Sequence, residues 1–553
     1  MTLTVIRSEP QLVGLALALG ARQVGSLSSA ERTLAARAAR ASSSMTQAYC
    51  DAIARGGDPL GDAFCSLRSA RARRPMGATY TPPAIVAAMT VWGASRKPAR
   101  VVDPGAGSAR FLVAAGRALP SAELVAVEID PLAALLARAH LLVAGFAARA
   151  RVEVTDYCEL ALPRIDGTTL FLGNPPYVRH HRIAQRRKRW LTRKARALSL
   201  RASQLAGLHV HFLLATATHG RAGDCGALIT AAEWLDVSYG SLVRDLLLGP
   251  LGGTHVHLIE PRALPFADAD TTAAIACFQL GARPSSLRLR RVVSSAALAP
   301  LDRGRPVRRE RLQAATRWTP FTRNARKRPP GYVELGELCQ VHRGQVTGAN
   351  GIWIAGAHST GLPDEVLFAC VTKARELFAA GAVLADPLRL RRVIDLPLDL
   401  DTLASSARRA VERFLRRARA LGANRGFVVR HRKAWWSVGL RAPAPILATY
   451  MARRPPAFVR NLAAARHINI AHGVYPREPM HDETLTALAA YLSSAVTLAD
   501  GRTYAGGLTK FEPKEMERLL VPSPTLLARP TEIDQCPYAG ADSASVASSD
   551  AGR

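Results

Sequence analysis

Three short apolar runs each end on an acid: A-R-V-V-D on Asp103, L-V-A-V-E on Glu128 and V-E-V-T-D on Asp156. Helical stretches, A-R-F-L-V-A-A-G and L-A-A-L-L-A-R-A-H-L-L-V-A-G, separate them, and two further runs come later, T-L-F-L-G-N and C-G-A-L-I-T-A. Strands that alternate with helices pair in parallel through crossovers, so the sheet is covered on both faces. The pattern, from about residue 71 to about 280, predicts an α/β fold with a Rossmann-like, mostly parallel sheet. A single strand-end acid can be a helix N-cap. Three in register describe a pocket for an adenosine-containing ligand across the carboxyl ends of the strands.

The residues around these acids fit such a ligand. V-V-D-P-G-A-G-S-A-R-F places Gly105 and Gly107 in a turn that opens a helix, where backbone can approach a ligand closely. The third glycine of a dinucleotide fingerprint is missing, which lowers the case for NAD. Glu128 suits a ribose diol, and Asp156 suits an adenine amine.

The next strand runs into G-N-P-P-Y, residues 173–177. Two prolines stiffen the backbone and fix two acceptors, the Asn174 side chain and the Pro175 carbonyl. Two acceptors match the two hydrogens of an NH2 group. Pro176 completes the rigid turn, and Tyr177 offers a flat face to a base.

The chain has a formal net charge of +31, which points to a polyanionic partner, nucleic acid first. No stretch approaches the roughly 20 apolar residues of a spanning helix, so no membrane is expected. Leu12–Ala21 is apolar, but it is short and comes after Glu9 and Pro10, unlike a signal peptide. Eight cysteines without a Cys-x-x-Cys pair argue against a disulfide framework or a structural zinc site and for a reducing cytoplasm. Much of the charge comes directly after the proline pair, in R-H-H-R-I-A-Q-R-R-K-R-W-L-T-R-K-A-R, which has no acid. Arg179, Arg182, Arg186, Arg187 and Lys188 are candidate phosphate contacts, although such a run can also be a solvated face.

Five stretches, G-A-T-Y-T-P-P (77–83), D-P-G-A-G-S-A-R-F, V-E-I-D-P, T-D-Y and G-N-P-P-Y, stand in the order seen in gamma-class adenine-N6 DNA methyltransferases, and over residues 70–524 the chain resembles that family. A-L-I-T-A-A-E-W-L-D-V-S-Y-G (227–240), L-P-F-A-D-A-D-T-T-A-A-I-A-C-F (264–278), V-H-R-G-Q-V-T-G-A-N-G-I-W-I (341–354) and R-T-Y-A-G-G-L-T-K-F-E-P (502–513) extend the likeness. The resemblance implies a class I, S-adenosylmethionine-dependent methyltransferase domain and a carboxy-terminal α/β target-recognition domain. It implies that Thr79, Tyr80 and Thr81 border the methionine part of the cofactor. Asp103, Gly105 and Gly107 would form its loop, and Glu128 would hold the ribose. Ile129 would pack on the adenine, and Asp156, with Tyr157 beside it, would bind the adenine amine. Asn174, Pro175 and Tyr177 would hold the target amine, with Phe266 stacking on the flipped base. Ala109 stands where many relatives have Gly, and Ala106 where some have Cys or Ala.

The expected organisation is a helical region over 1–70, the catalytic domain over 71–283, a linker or peripheral strands over 284–330, target recognition over 331–524 and a disordered tail over 525–553. The expected function is transfer of a methyl group from S-adenosylmethionine to adenine N6 in double-stranded DNA, in the cytoplasm of a bacterium and on its nucleoid. No metal is expected. Residues 1–96 contain no lysine, so a nuclease site of carboxylates and lysine around a metal is not expected there, and a separate restriction endonuclease is the anticipated partner. Alternatives with the same N-P-P-Y site methylate RNA or protein glutamine. A combined restriction–modification enzyme and a DNA-binding chain without catalysis are the others.

Overall fold

The computed structural model describes residues 3–69, 72, 81–260, 263, 272–322, 328–504 and 508–529. Thr79, Tyr80, Phe266 and the tail beyond residue 529 lie outside them. The chain divides into two compact units, residues 1–325 and residues from 326 onward apart from 505–507, which group with the first.

Nine strands form the sheet of the first unit: β1 (Arg100–Asp103), β2 (Glu123–Glu128), β3 (Ala150–Val154), β4 (Thr169–Gly173), β5 (Cys225–Ala231), β6 (Gly253–Ile259), β7 (Ala273–Gln279), β8 (Ser286–Val292) and β9 (Arg305–Arg308). Their order is β3-β2-β1-β4-β5-β7-β6-β8-β9. β1 to β5 are parallel to one another where they pair, while β7 runs antiparallel to both β5 and β6. The sheet is thus parallel over its first five strands and mixed beyond them, where β9 also runs antiparallel to β8. The order reverses between β1 and β4, and there the strand ends open the crevice in which such sheets bind ligands.

Period-two alternation builds the two faces. Val101, Leu124 and Leu170 pack beneath helices Pro83–Ala94 and Arg110–Ala118, and Val102, Val125 and Phe171 pack against helix Leu208–His219 on the other side. Residues 284–330 supply β8 and β9 at the sheet edge, and the fully buried Trp318 meets Trp234 at 6.1 Å.

Residues 3–69 form the helices Glu9–Ala18, Ser29–Ala35, Ser43–Ala54 and Pro59–Leu67. Each begins at a side-chain cap, from Ser8, Ser28, Ser42 and Asp58. The apolar stretch from Leu12 is the buried face of the first helix. It packs with Leu132, Leu135 and Leu136 of helix Pro131–Val143. The contact is locked by a buried ion pair, Arg138 Nε to Glu31 Oε1 at 2.7 Å.

The second unit has a five-stranded sheet in the order Cys339–Arg343, Ala471–Pro476, Ile446–Thr449, Phe458–Asn461, Val383–Leu384. Helix Asp482–Ala495 covers it through Leu485, Leu488 and Leu492. A short helix, Pro524–Leu527, ends the described chain, with Leu527 buried. Among the described residues no helix is long and apolar enough to cross a membrane.

Candidate active site

A cavity of about 400 Å³ opens over the ends of the first four strands. That is the size of pockets that enclose a small-molecule ligand. Gly105, Gly107, Glu128, Ile129, Asp156 and Tyr157 line it, as do Thr81, Asn174 and Pro176.

Asp103, the last residue of β1, sits beneath the Gly105–Gly107 turn and is not itself a lining residue. It is almost fully buried, and burial pushes its carboxyl up to about 8, with Glu128 adding repulsion and one hydrogen bond from the Gly105 amide (3.3 Å) opposing. Its Oδ2 has no hydrogen-bond partner among the described residues. The carboxyl rests against Gly173, where an added Cβ would come within 2.3 Å of Asp103 Oδ1. The glycine before Asn174 is thus required by close approach.

Glu128 is held by three amides, Gly107 on Oε2 at 2.8 Å and Ile129 and Asp130 on Oε1 at 2.8 and 2.9 Å. Burial still raises its carboxyl above the usual range. Beside it, the side chain of Ile129 stays 52% exposed, an apolar face left open at the cavity wall. Asp156 accepts from the Cys158 amide at 3.1 Å, and its other oxygen pairs with Arg187 Nη2 at 2.5 Å. Tyr157 is buried, donates to or accepts from Thr216 Oγ1 at 2.9 Å, and stacks on Phe212 at 5.3 Å.

Asn174 Nδ2 donates to Thr81 Oγ1 at 3.0 Å. Pro175 is buried behind Asn174. Tyr177 is half-buried and is not a lining residue, and its buried hydroxyl has no hydrogen-bond partner among the described residues.

The basic candidates separate. Arg182 and Arg187 line the cavity, and Arg187 is engaged by Asp156 instead of standing in solvent. Arg186 pairs with Glu159 at 3.0 Å, so helix Gln185–Ala197 is tied twice to the loop after β3. Arg179 is exposed and Lys188 half-buried.

Several lining residues escaped sequence reasoning, among them Phe64, Arg68, Arg110, Ile183 and Phe212. Phe64 and Arg68 come from the amino-terminal helices. Arg68 Nε pairs with Glu9 at 2.6 Å, and its Nη1 pairs with Asp130. Asp58 braces the turn after β1: its Oδ2 accepts from Ser108 Oγ and from Arg110 Nε (2.5 Å), while Oδ1 caps Gly61 at 2.8 Å. The Ser108 carbonyl also meets His140 Nδ1 at 2.8 Å. Between Ser108 and Arg110, Ala109 takes left-handed backbone at φ 69°. Alanine is there at a cost of about 1 kcal/mol, which explains the glycine in many relatives. The only advance signal for Asp58 was its D-P-L helix start.

Comparison with known proteins places this geometry. The N-6 DNA methylase profile matches residues 56–230, and that of the C-terminal domain of the type II methyltransferase M.Eco57I matches residues 321–541. The chain is 54% identical over 467 residues to type II methyltransferase M.XamI of Xanthomonas campestris pv. amaranthicola, covering 84% of this chain and 87% of that one. It is 22% identical over 366 residues to type II methyltransferase M.AccI of Acinetobacter calcoaceticus, covering 62% and 67%. The structure of the type IIL restriction–modification enzyme MmeI in complex with DNA has a similar fold, with TM-score 0.51 and 14% identity over 87% of this chain and 75% of that one. Membership of such a class I methyltransferase family implies the use of S-adenosylmethionine. The chain belongs to the N6-adenine DNA methyltransferases of type II restriction–modification systems.

Proposed function

We propose that the cavity takes S-adenosylmethionine and that Asn174 and Pro175 present to it the N6 amine of one adenine flipped out of a DNA duplex. The Asn174 amide carries this reading: Asn174 lines the cavity together with the acids Glu128 and Asp156, and its side chain is positioned by Thr81 Oγ1.

The residues present fit the cofactor. A cationic amine beside Asp103 would satisfy Oδ2 and draw the carboxyl back to its charged form. Glu128 Oε2 holds one amide bond, and a carboxylate oxygen accepts two, so it can take a ribose hydroxyl as well. Ile129 offers its open face to the adenine, and Asp156 an oxygen to the adenine amine. The backbone of Gly105 and Gly107 allows close approach, and Thr81 lines the cavity at the end assigned to methionine. Bound there, S-adenosylmethionine supplies an electrophilic methyl group on a sulfonium.

Asn174 Oδ1 and the Pro175 carbonyl accept the two amine hydrogens and draw the N6 lone pair out of the ring. Pro176 keeps the turn rigid, so little reorganisation is needed. No covalent enzyme intermediate is required. Flipping costs a few kcal/mol, and stacking on Tyr177 and Phe266 returns about 1–3 kcal/mol per ring. Arg179, Arg182, Arg186 and Lys188 hold phosphates, and Arg187 joins them when Asp156 is taken by the cofactor. Residues 331–524 read the target sequence. The enzyme works on nucleoid DNA in the cytoplasm, paired with a separate restriction endonuclease.

The test is single-molecule sequencing of DNA from cells expressing the chain, with Asn174→Ala as control and cofactor binding measured by calorimetry on both. N6-methyladenine at one short motif, lost in the variant, is expected. Cofactor binding without any modified adenine would sink this reading.

A further inference from the structure

Residues 413–477 contain thirteen arginines, one lysine and no acid. Within this stretch the second unit exposes an apolar cluster. Phe427 is 74% exposed and Val428 38%, and Val346, on the loop after strand Cys339–Arg343, is 38% exposed. The two loops are joined. Arg432 Nη2 donates to the Val346 carbonyl at 2.5 Å, and a Cβ on Gly348 would come within 2.8 Å of Val429 and 3.8 Å of Val428. Single exposed apolar residues are ordinary, but a cluster of them inside a basic surface marks a contact surface.

The Phe427 ring is held on one side only. It opens the short helix Phe427–Arg430, and its ring rests on His431 with centroids 4.4 Å apart. His431 is itself tied back, Nδ1 to the Phe427 carbonyl at 2.7 Å. The nearby tryptophans serve the core. Trp435 packs on Trp353, and Trp436 Nε1 donates to the Pro397 carbonyl at 3.0 Å. Phe427 is thus the ring of this segment that is turned to solvent, and exposed Arg425, Arg430 and Lys433 surround it.

We propose that Phe427 is a wedge that enters between two stacked base pairs of the bound duplex, with Val346 and Val428 against the sugars and Arg425, Arg430 and Lys433 on the flanking phosphates. This rests on DNA as the substrate. The acid-free stretch of chain that carries the ring fits a polyanion, and an apolar ring fits the gap between unstacked bases. A wedge of this kind bends the duplex, and the bend lets more of the basic surface reach phosphate. It also discriminates between sequences without touching a base edge, because base steps differ in how easily they open.

The experiment uses the full chain and duplexes carrying the site found by sequencing, with 2-aminopurine placed at successive positions and a fluorophore pair at the ends. The wild type is expected to give one fluorescence rise at the target adenine and a second at another step, with a bend. Phe427→Ala should lose the second rise and the bend, keep the first, and bind about tenfold more weakly. Phe427→Trp should restore both losses, and Asn174→Ala should leave the second rise intact. An unchanged second rise and bend in Phe427→Ala would overturn the proposal. So would a wild-type dimer in sedimentation that Phe427→Ala dissolves while its DNA signals persist, since the patch would then belong to a second copy of the chain. Absence of the rise at the target alone would count against the assignment of Asn174, not against the wedge.

Discussion

The cofactor pocket and the basic segment of the second unit handle charge in opposite ways. The chain has 74 basic and 43 acidic residues, yet the pocket and its brace gather Asp58, Asp103, Glu128, Asp130 and Asp156, most of them buried. The segment 413–477 excludes acids altogether. A small ligand with cationic centres is met by burying carboxylates, where each has a fixed neighbour. A long polyanion is met by a stretch of chain without carboxylates, whose exposed cations, such as Arg425, Arg430 and Lys433, act collectively and are screened by salt. Damage in the first region should therefore be local and large. Damage in the second should be graded.

The largest expected effect is that of Asn174→Ala: a loss of about 100-fold or more in kcat, with cofactor affinity and the salt dependence of DNA binding unchanged. Single-turnover kinetics beside salt titrations would show this, and a parallel loss of DNA affinity would blur the contrast between the regions. Asp58→Ala comes next. It removes the acceptor shared by Arg110 and Ser108, while Arg110 keeps Asp62, and should destabilise the first unit by about 1–2 kcal/mol, read by denaturant titration, with weaker cofactor binding.

Asp103 gives a pH signature. Burial raises its carboxyl to about 8 in the folded chain, whereas an unfolded aspartate titrates near 4, at about 3.9. The fold favours the protonated form, so this contribution to stability is complete below about pH 4 and is lost as pH rises through about 8. Without cofactor, wild-type Tm should fall relative to Asp103→Asn between these limits. Cofactor affinity should move the other way, tightening by up to about tenfold per pH unit until about pH 8, because the bound amine needs the carboxylate. A flat affinity profile would remove Asp103 from the binding set.

Smaller effects belong to the basic surface. Arg425→Ala and Lys433→Ala should each lower the slope of log affinity against log salt by about one, with kcat at saturating DNA unchanged. The smallest is Ala109→Gly, where relief of left-handed backbone strain and loss of a buried methyl nearly cancel, each about 1 kcal/mol; denaturant titration should place the variant close to the wild type.

The pocket was the more legible of the two regions. Asp103, Glu128 and Asp156 mark strand ends because a buried strand is a short apolar run, and its last residue delivers the chain to the rim of the sheet. Asn174 was legible because two prolines have few structural uses after such a strand. The Asp58 brace was hidden, since Ser108 and Arg110 lie about 50 residues away and a lone acid at a helix start has an ordinary reason to be there. The Arg187–Asp156 pair was hidden because a run of arginines does not say which one turns inward. In the second unit the charge could be read from the chain, but the inward turn of Trp435 and Trp436 and the outward turn of Phe427 depend on packing between distant loops.

The amino-terminal helices bear on how the protein can be cut. The N-6 DNA methylase match begins at residue 56, which invites a shortened chain starting there or later. Removing residues 1–69 would uncover Leu132, Leu135 and Leu136 and leave Arg138 without its partner Glu31 in the middle of that apolar face. Such a fragment would aggregate before it could be assayed, and its inactivity would say nothing about chemistry.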